Sequence, residues 1–222
     1  MSPLSEKPVT AADKTFIQLR QDIVEGQIAA GSKLSETELS TKYAVSRAII
    51  REAINRLESS HLVERKANVG AKVVALTPEG LVQLYEVRES LEGMAARLAA
   101  DQMTDQEITA LQDLLNSYGD TVKSGETYYQ EAGDVDFHYR IILGSKNTHL
   151  ISLLIEGIYH LIRMYRVQLG MSGPRVTTAY DEHRHIMQAI ANRDAELAEM
   201  LMRRHISYTK QSLQKKLNGE FS

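Results

Sequence analysis

The sequence predicts a mainly α-helical chain in two domains: a winged helix-turn-helix of three helices plus a small β-hairpin, then an all-α antiparallel helical bundle. Three observations carry this. Residues 13–76 hold three helical periods followed by two short β-prone runs, and residues 81–217 hold only helical spacing. Between them stands the turn-prone Thr77-Pro78-Glu79-Gly80, read as a linker over residues 77–80. Residues 1–12 read as a flexible arm and 218–222 as a tail.

In the first domain, Phe16, Leu19, Ile23 and Val24 recur at helical spacing from Asp13, and Gly26 ends the run. Ser35 opens Ser-Glu-Thr-Glu, with Glu38 at the capping-box position of a short helix reaching Tyr43. After a tight turn at Ala44-Val45, Ser46 caps a third helix that buries Ile50, Ile54 and Leu57. The runs Leu62–Arg65 and Lys72–Leu76 make the hairpin around residues 67–70.

In the second domain, Leu81, Leu84, Val87, Arg88, Leu91 and Ala95 set the first helical face. Thr104-Asp105-Gln106-Glu107 is another capping box and starts a helix to Val122. Further helices are expected over Tyr128–Leu143, Thr148–Leu169 and Thr177–Ala191, and Asp194 caps a last one ending near Leu217. Short glycine-marked connections between such helices are those of an antiparallel bundle.

Composition narrows the chemistry. Cysteine is absent, so any metal must be held by histidine and carboxylate. No apolar run is long enough to span a bilayer, and the opening residues lack an apolar stretch behind a basic region, so a cytoplasmic protein with no membrane partner is expected. The net charge of −3 conceals an asymmetry. Residues 1–76 carry 11 basic against 9 acidic side chains, while the remainder carries 15 against 20. That balance permits nucleic-acid binding without requiring it.

The third helix opens Ser46-Arg47-Ala48-Ile49-Ile50-Arg51. Arg47 and Arg51 share a face, and the first residues of the second helix in a helix-turn-helix reach the major groove, where arginine pairs with guanine O6 and N7. Ser46 and the helix N-terminus suit a phosphate. A solvated arginine pair on a surface helix would show the same spacing. The wider pattern is more specific: Leu34-Ser35-Glu36-Thr37-Glu38-Leu39-Ser40, Val45-Ser46-Arg47, Arg51-Glu52-Ala53, Arg56-Leu57-Glu58 and Gly70-Ala71-Lys72-Val73 resemble the GntR family of winged-helix regulators. The resemblance implies that Ser46, Arg47 and Arg51 contact operator DNA and that the wing tip near Gly70 enters the minor groove. Thr37 and Ala48-Ile49-Ile50 depart from the family pattern, which bears on the operator sequence read.

A second constellation lies in the bundle. Asp134 and His138 are four residues apart, set on one face of one helix with Ile141 and Ile142, which leaves Asp136 facing away. His183 shares a face with Ile186, Met187 and Ile190, and His205 with Leu201, Met202 and Tyr208. Three imidazoles and a carboxylate converging from three helices suit zinc, with nickel or manganese as alternatives. A lone histidine on an apolar face is more often a hydrogen-bonded core residue than a ligand, and it is the four positions together on bundle-facing stripes that point to a metal. His185 falls on the opposite face from His183, in solvent, and His61, His149 and His160 are not read as ligands.

Residues 80–217 resemble the FCD ligand-binding domain of the FadR-like branch, through Tyr85-Glu86-Val87-Arg88, Leu91-Glu92, Asp134, Phe137-His138, Asn147, Glu182-His183, Ile186, Ala189-Ile190, Asp194 and His205-Ile206. The resemblance implies that Asp134, His138, His183 and His205 coordinate a divalent ion whose coordination a small carboxylate effector completes. Arg88 is the first candidate to grip that effector, unless it bridges to Glu92; Tyr85, Asn147 and Arg163 are further pocket candidates.

Together these expectations describe a ligand-responsive repressor of a catabolic operon, a homodimer on a pseudo-palindromic operator, relieved by the acid and not an enzyme. Two alternatives stay open: a metal-dependent hydrolase using the Asp/His centre, and a DNA-binding regulator whose metal is purely structural. The first lacks an evident separate general base.

Overall fold

Residues 10–66, 70–123, 136–169 and 174–219 are described by the computed structural model, and contacts within the chain divide it into two units between Leu76 and Thr77. In the first unit, α1 (Ala11–Val24), α2 (Glu36–Lys42) and α3 (Arg47–Ser59) are followed by β1 (Val63–Lys66) and β2 (Gly70–Val73). The first helix starts earlier than its apolar period does. Thr10 accepts from the Asp13 amide while Asp13 accepts from the Thr10 amide, so residues 11 and 12 belong to α1 and not to an arm. The Thr10 hydrogen bonds, assisted by Arg56, lower the Asp13 carboxyl to about 2.

Helices α1 and α3 bury Leu19, Ile23, Ile50, Ile54 and Leu57 against each other. Asp22 joins α2 to α1 by accepting from Lys42 Nζ at 2.6 Å and the Tyr43 hydroxyl at 2.7 Å. Burial pushes its carboxyl up, but these donors outweigh burial and the net shift is downward. The α2–α3 turn places Ala44 at φ 53°, a conformation that a non-glycine residue adopts at some cost. Ser46 then caps α3, its Oγ accepting from the Ile49 amide at 3.4 Å. Ser35 accepts from the Glu38 amide at 3.3 Å, half of the expected box.

The hairpin pairs Val63 with Val73 and Lys66 with Gly70, so β2 begins two residues earlier than read and ends before Val74. Leu34 donates to the Ala71 carbonyl at 2.9 Å, laying the segment before α2 along β2. Gly70 sits at φ 91°, backbone that favours glycine, and the tip at residues 67–69 lies outside the described residues.

The second unit holds α4 (Pro78–Gln102), α5 (Asp105–Lys123), α6 (Phe137–Gly144), α7 (Thr148–Ile151), a π-helical stretch (Ser152–Ile158), α8 (Tyr159–Leu169), α9 (Pro174–Ala191) and α10 (Ala195–Leu217). Residues 78–80 are not a linker. Thr77 caps α4 by accepting from the Gly80 amide at 3.0 Å, with Pro78 at the first helical position. Helices α4 and α10 pack along their lengths; a Cβ at Gly93 would lie 2.6 Å from Arg203 Cγ, so glycine permits their close approach.

Of the helix expected over Tyr128–Leu143, residues 128–135 lie outside the described residues; α6 starts at Phe137, and Asp136 takes its cap with extended backbone (φ −104°, ψ 123°). Its carboxylate accepts from the amides of His138 (2.8 Å) and Tyr139 (3.2 Å), from Arg166 Nη1 (3.2 Å) and from the Tyr159 hydroxyl (3.3 Å). Asp136 is fully buried and does not face away. The reason is a helix boundary that apolar spacing does not mark. Thr148–Leu169 is helical throughout, with a π-helical middle that a 3.6-residue period does not register. Among the described residues no helix is long and apolar enough to cross a membrane.

Candidate metal centre and DNA-reading face

Three helices deliver one imidazole each to the interior of the second unit. His138 stands in the first turn of α6, fixed there by the Asp136 cap; His183 is central in α9 and His205 in α10. All three are buried, at 3%, 2% and 4% exposure. His183 Nε2 lies 3.2 Å from His138 Nε2 and 3.1 Å from His205 Nε2. Phe137 stacks on the His183 ring at 4.5 Å between centroids and packs it in place.

The outer nitrogens decide which tautomers meet. His138 Nδ1 donates to Glu92 Oε2 at 2.6 Å, and His205 Nδ1 donates to Glu182 Oε2 at 2.6 Å. Each carboxylate holds the proton on Nδ1, which turns the lone pair of each Nε2 towards His183. A single N–H on His183 could satisfy one of those lone pairs but not both. A cation satisfies all three nitrogens, and the spacing fits: ligand nitrogens about 2.0–2.1 Å from an ion lie about 2.8–3.4 Å from one another at bond angles between 90° and tetrahedral. The buried three-histidine cluster could therefore hold a metal ion.

Glu92 is the residue that sequence reasoning undervalued. The sequence offers it as a possible partner of Arg88 and within the Leu91-Glu92 resemblance, with no role at the centre, yet it braces His138 from 46 positions away. Arg88 Nε donates to Glu92 Oε1 at 2.5 Å, with both side chains almost wholly buried. Burial raises the Glu92 carboxyl, but Arg88 and His138 outweigh burial and hold it ionised, well below the usual range. Burial likewise opposes the Arg88 charge, and Glu92 reverses the effect, raising its pKa. Of the two roles expected for Arg88, the structure thus shows the Glu92 bridge. Its Nη2 also lies 3.4 Å from His138 Nδ1, but both are donors once Glu92 holds the imidazole proton, so that contact is not a hydrogen bond. Replacing Glu92 with glutamine is expected to weaken divalent-ion affinity about 10–100-fold, as loss of an outer-shell partner does. Competition against a chromogenic chelator measures it, with Glu182→Gln as a parallel variant at a side chain less deeply buried than that of Glu92; unaltered affinity in both would remove the carboxylates from the centre.

The other candidates divide. Asp134 lies outside the described residues, and α6, which carries His138, starts at Phe137. Tyr85 is fully buried one turn before Arg88, whose guanidinium carbon is 5.0 Å from its ring centroid; the Tyr85 hydroxyl has no hydrogen-bond partner among the described residues. Burial raises its pKa, so the hydroxyl remains a proton donor. Asn147 is exposed and caps α7, its Oδ1 accepting from the Leu150 amide at 3.1 Å. Arg163 is half-buried on α8, and His185 is exposed on α9.

In the first unit, Ser46, Arg47 and Arg51 are exposed together at the start of α3. The Ser46 Oγ accepts from the helix and retains its own proton to donate outward. Arg47 forms no ion pair among the described residues. Arg51 is held differently, donating through Nε to Glu36 Oε1 at 3.1 Å and through Nη2 to Glu36 Oε2 at 2.8 Å.

Comparison with known proteins agrees with this division. Residues 11–73 match the family model of bacterial regulatory proteins of the gntR family, and residues 83–208 match that of the FCD domain. The chain is 32% identical over 178 residues to the Nta operon transcriptional regulator of Aminobacter aminovorans, covering 79% of this chain and 81% of that one. It is 26% identical over 185 residues to the gluconate operon transcriptional repressor of Bacillus licheniformis, covering 81% and 75%. The solved structure of E. coli McbR/YncC has the same fold, with a TM-score of 0.73 at 19% identity over 92% of this chain and 97% of that chain.

Proposed function

Because the chain belongs to the gntR family of bacterial regulatory proteins and carries an FCD domain, we propose that it is a transcriptional repressor released from its operator by a small carboxylic acid bound at a metal centre. That it is a DNA-binding transcriptional regulator and not an enzyme follows from the family; the rest is the reading that the site supports best. The observation that carries it is the convergence of three buried imidazole nitrogens at 3.1 and 3.2 Å, two of them oriented by carboxylates.

His138, His183 and His205 would hold the ion, with Asp134 as the fourth ligand and zinc as the ion best suited to such a set. A divalent ion so held supplies a Lewis-acidic position for one carboxylate oxygen of the effector. Glu92 and Glu182 keep the imidazoles in the binding tautomer, and Arg88 keeps Glu92 charged. The Tyr85 hydroxyl, buried without an acceptor, would donate to the effector, since leaving such a group unsatisfied costs about 1–3 kcal/mol. Repression fits relatives named as operon repressors. A homodimer would set two α3 helices on the halves of a pseudo-palindromic operator. The acid then shifts the equilibrium only if it binds the operator-bound and free states with different affinity.

Calorimetry with a panel of small mono- and dicarboxylic, hydroxy and sugar acids tests this reading. Heat of binding is expected from one chemical class, lost when a chelator strips the protein. No heat from any acid with the metal-loaded protein would favour a structural ion instead.

A further inference from the structure

The outward face of α3 does not present its two arginines alike. Arg47 makes no ion pair among the described residues, whereas Arg51 reaches across to the first residue of α2 and is gripped by Glu36 through two N–H···O bonds of 2.8 and 3.1 Å. Both side chains remain substantially exposed, 59% for Arg51 and 35% for Glu36, so the pair stands on the surface that faces outward and not in the core. The Arg51 hydrogen bonds hold the Glu36 carboxyl below its ordinary range, and the charges of Arg65 and Arg47 act in the same direction. Glu36 is thus an acid set among three arginines on the face assigned to DNA.

A guanidinium has two edges that can form paired hydrogen bonds. Glu36 occupies the edge made by Nε and Nη2. The end-on edge, Nη1 with the second Nη2 hydrogen, stays available, and that edge matches guanine O6 and N7. We propose that Glu36 is a specificity-determining positioning residue: it aims the free edge of Arg51 at a base and denies that arginine to the phosphate backbone.

Two physical consequences separate this role from a mere tie between helices. An arginine already held has less rotamer freedom left to lose on binding, which favours the cognate base pair. A carboxylate beside the backbone disfavours every duplex on which no base contact compensates it. Glu36 therefore widens the gap between specific and non-specific binding. Lysine at position 51 could not serve, because its ammonium has no second edge.

The inference rests on the DNA-reading role given to α3, and the experiment separates the two. The full-length wild-type protein first selects duplexes from a random-sequence library; the probes are the strongest selected duplex and a shuffled duplex of equal composition. Affinities for both are then measured across a salt series for wild type, Glu36→Gln, Arg51→Ala and the double variant, with thermal melting as the folding control. In Glu36→Gln the ratio of cognate to shuffled affinity is expected to fall about 10-fold, as loss of an aimed base contact does. The released Arg51 is expected to find a phosphate on the shuffled duplex, steepening the salt dependence there by about one in slope for each protomer. Adding Glu36→Gln to Arg51→Ala is expected to change the cognate ratio no further. Equal losses on both duplexes, an unchanged ratio, or the same fall in the Arg51→Ala background would each overturn the positioning role while leaving DNA recognition intact. Selection of no duplex at all would overturn both.

Discussion

Replacing His183 with alanine is expected to abolish the stabilisation that a divalent ion gives this protein. His183 Nε2 is the atom that lies within 3.2 Å of both other imidazole nitrogens, so its removal dismantles the centre and not merely one edge of it. Loss of an outer-shell partner alone costs about 10–100-fold in affinity, so loss of this ligand should cost about 100-fold or more. In the wild type, a hundredfold excess of ion over its Kd contributes about 2.7 kcal/mol, equivalent to a rise of about 5–10 °C in Tm. In His183→Ala that rise should vanish. The variant also starts from a lower Tm without metal, because a side chain stacked on Phe137 has been removed, so the difference between loaded and stripped protein is the quantity to compare. His185→Ala, two residues away and exposed, should keep the full rise. Asp134→Ala in the same assay shows whether the fourth ligand comes from there. An undiminished metal-dependent rise in His183→Ala would refute the centre.

Arg47→Ala and Arg51→Ala are each expected to cost about 10–100-fold in affinity at each half-site, the discrimination carried by one bidentate arginine–guanine contact, and to leave the melting temperature nearly unchanged. The small stability effect follows from exposure: neither side chain contributes to the core, and the Arg51–Glu36 bridge is a surface pair. On a two-fold operator each substitution acts at both half-sites, which squares the loss in affinity and takes binding below detection in a gel shift at about 0.15 M salt. The two variants should differ in kind. Arg51→Ala should relax the preference at one base position, while Arg47→Ala should act more evenly across sequences if its partner is a phosphate. Unchanged operator affinity in either variant removes that arginine from the interface.

Much of the fold was legible because its punctuation is local. Ser46, Asp194 and the Thr104/Glu107 pair announce helix starts through side chains that bond amides three residues on, and the structure forms those bonds. Ile50, Ile54 and Leu57 follow from the helical period alone. Boundaries failed where a cap and the apolar period disagree. Thr10 starts α1 before its first apolar residue, Thr77 absorbs the supposed linker into α4, and Asp136 delays α6 until Phe137.

The candidate site divides along a similar line. His138, His183 and His205 could be placed on inward faces because each belongs to a periodic helix of its own. Their carboxylate partners could not be assigned to them: Glu92 is 46 residues from His138, and Glu182 is 23 residues from His205. Which acid braces which imidazole is fixed by helix packing, to which spacing along one helix is blind. Glu36 was hidden for the same reason, 15 residues and one turn away from Arg51. Asn147, quoted for its place in a family pattern, also has a local structural role as the cap of α7.

The central question is whether an acid bound at the ion changes the affinity of the protein for its operator. The measurement is fluorescence anisotropy of a labelled, library-selected operator duplex bound by the metal-loaded protein, titrated with the acid panel and repeated after chelation. Release of the duplex by one class of carboxylic acid, dependent on the metal and lost in His183→Ala, is the predicted result. Operator affinity that stays the same with every acid, or that falls equally with and without the metal, would contradict it.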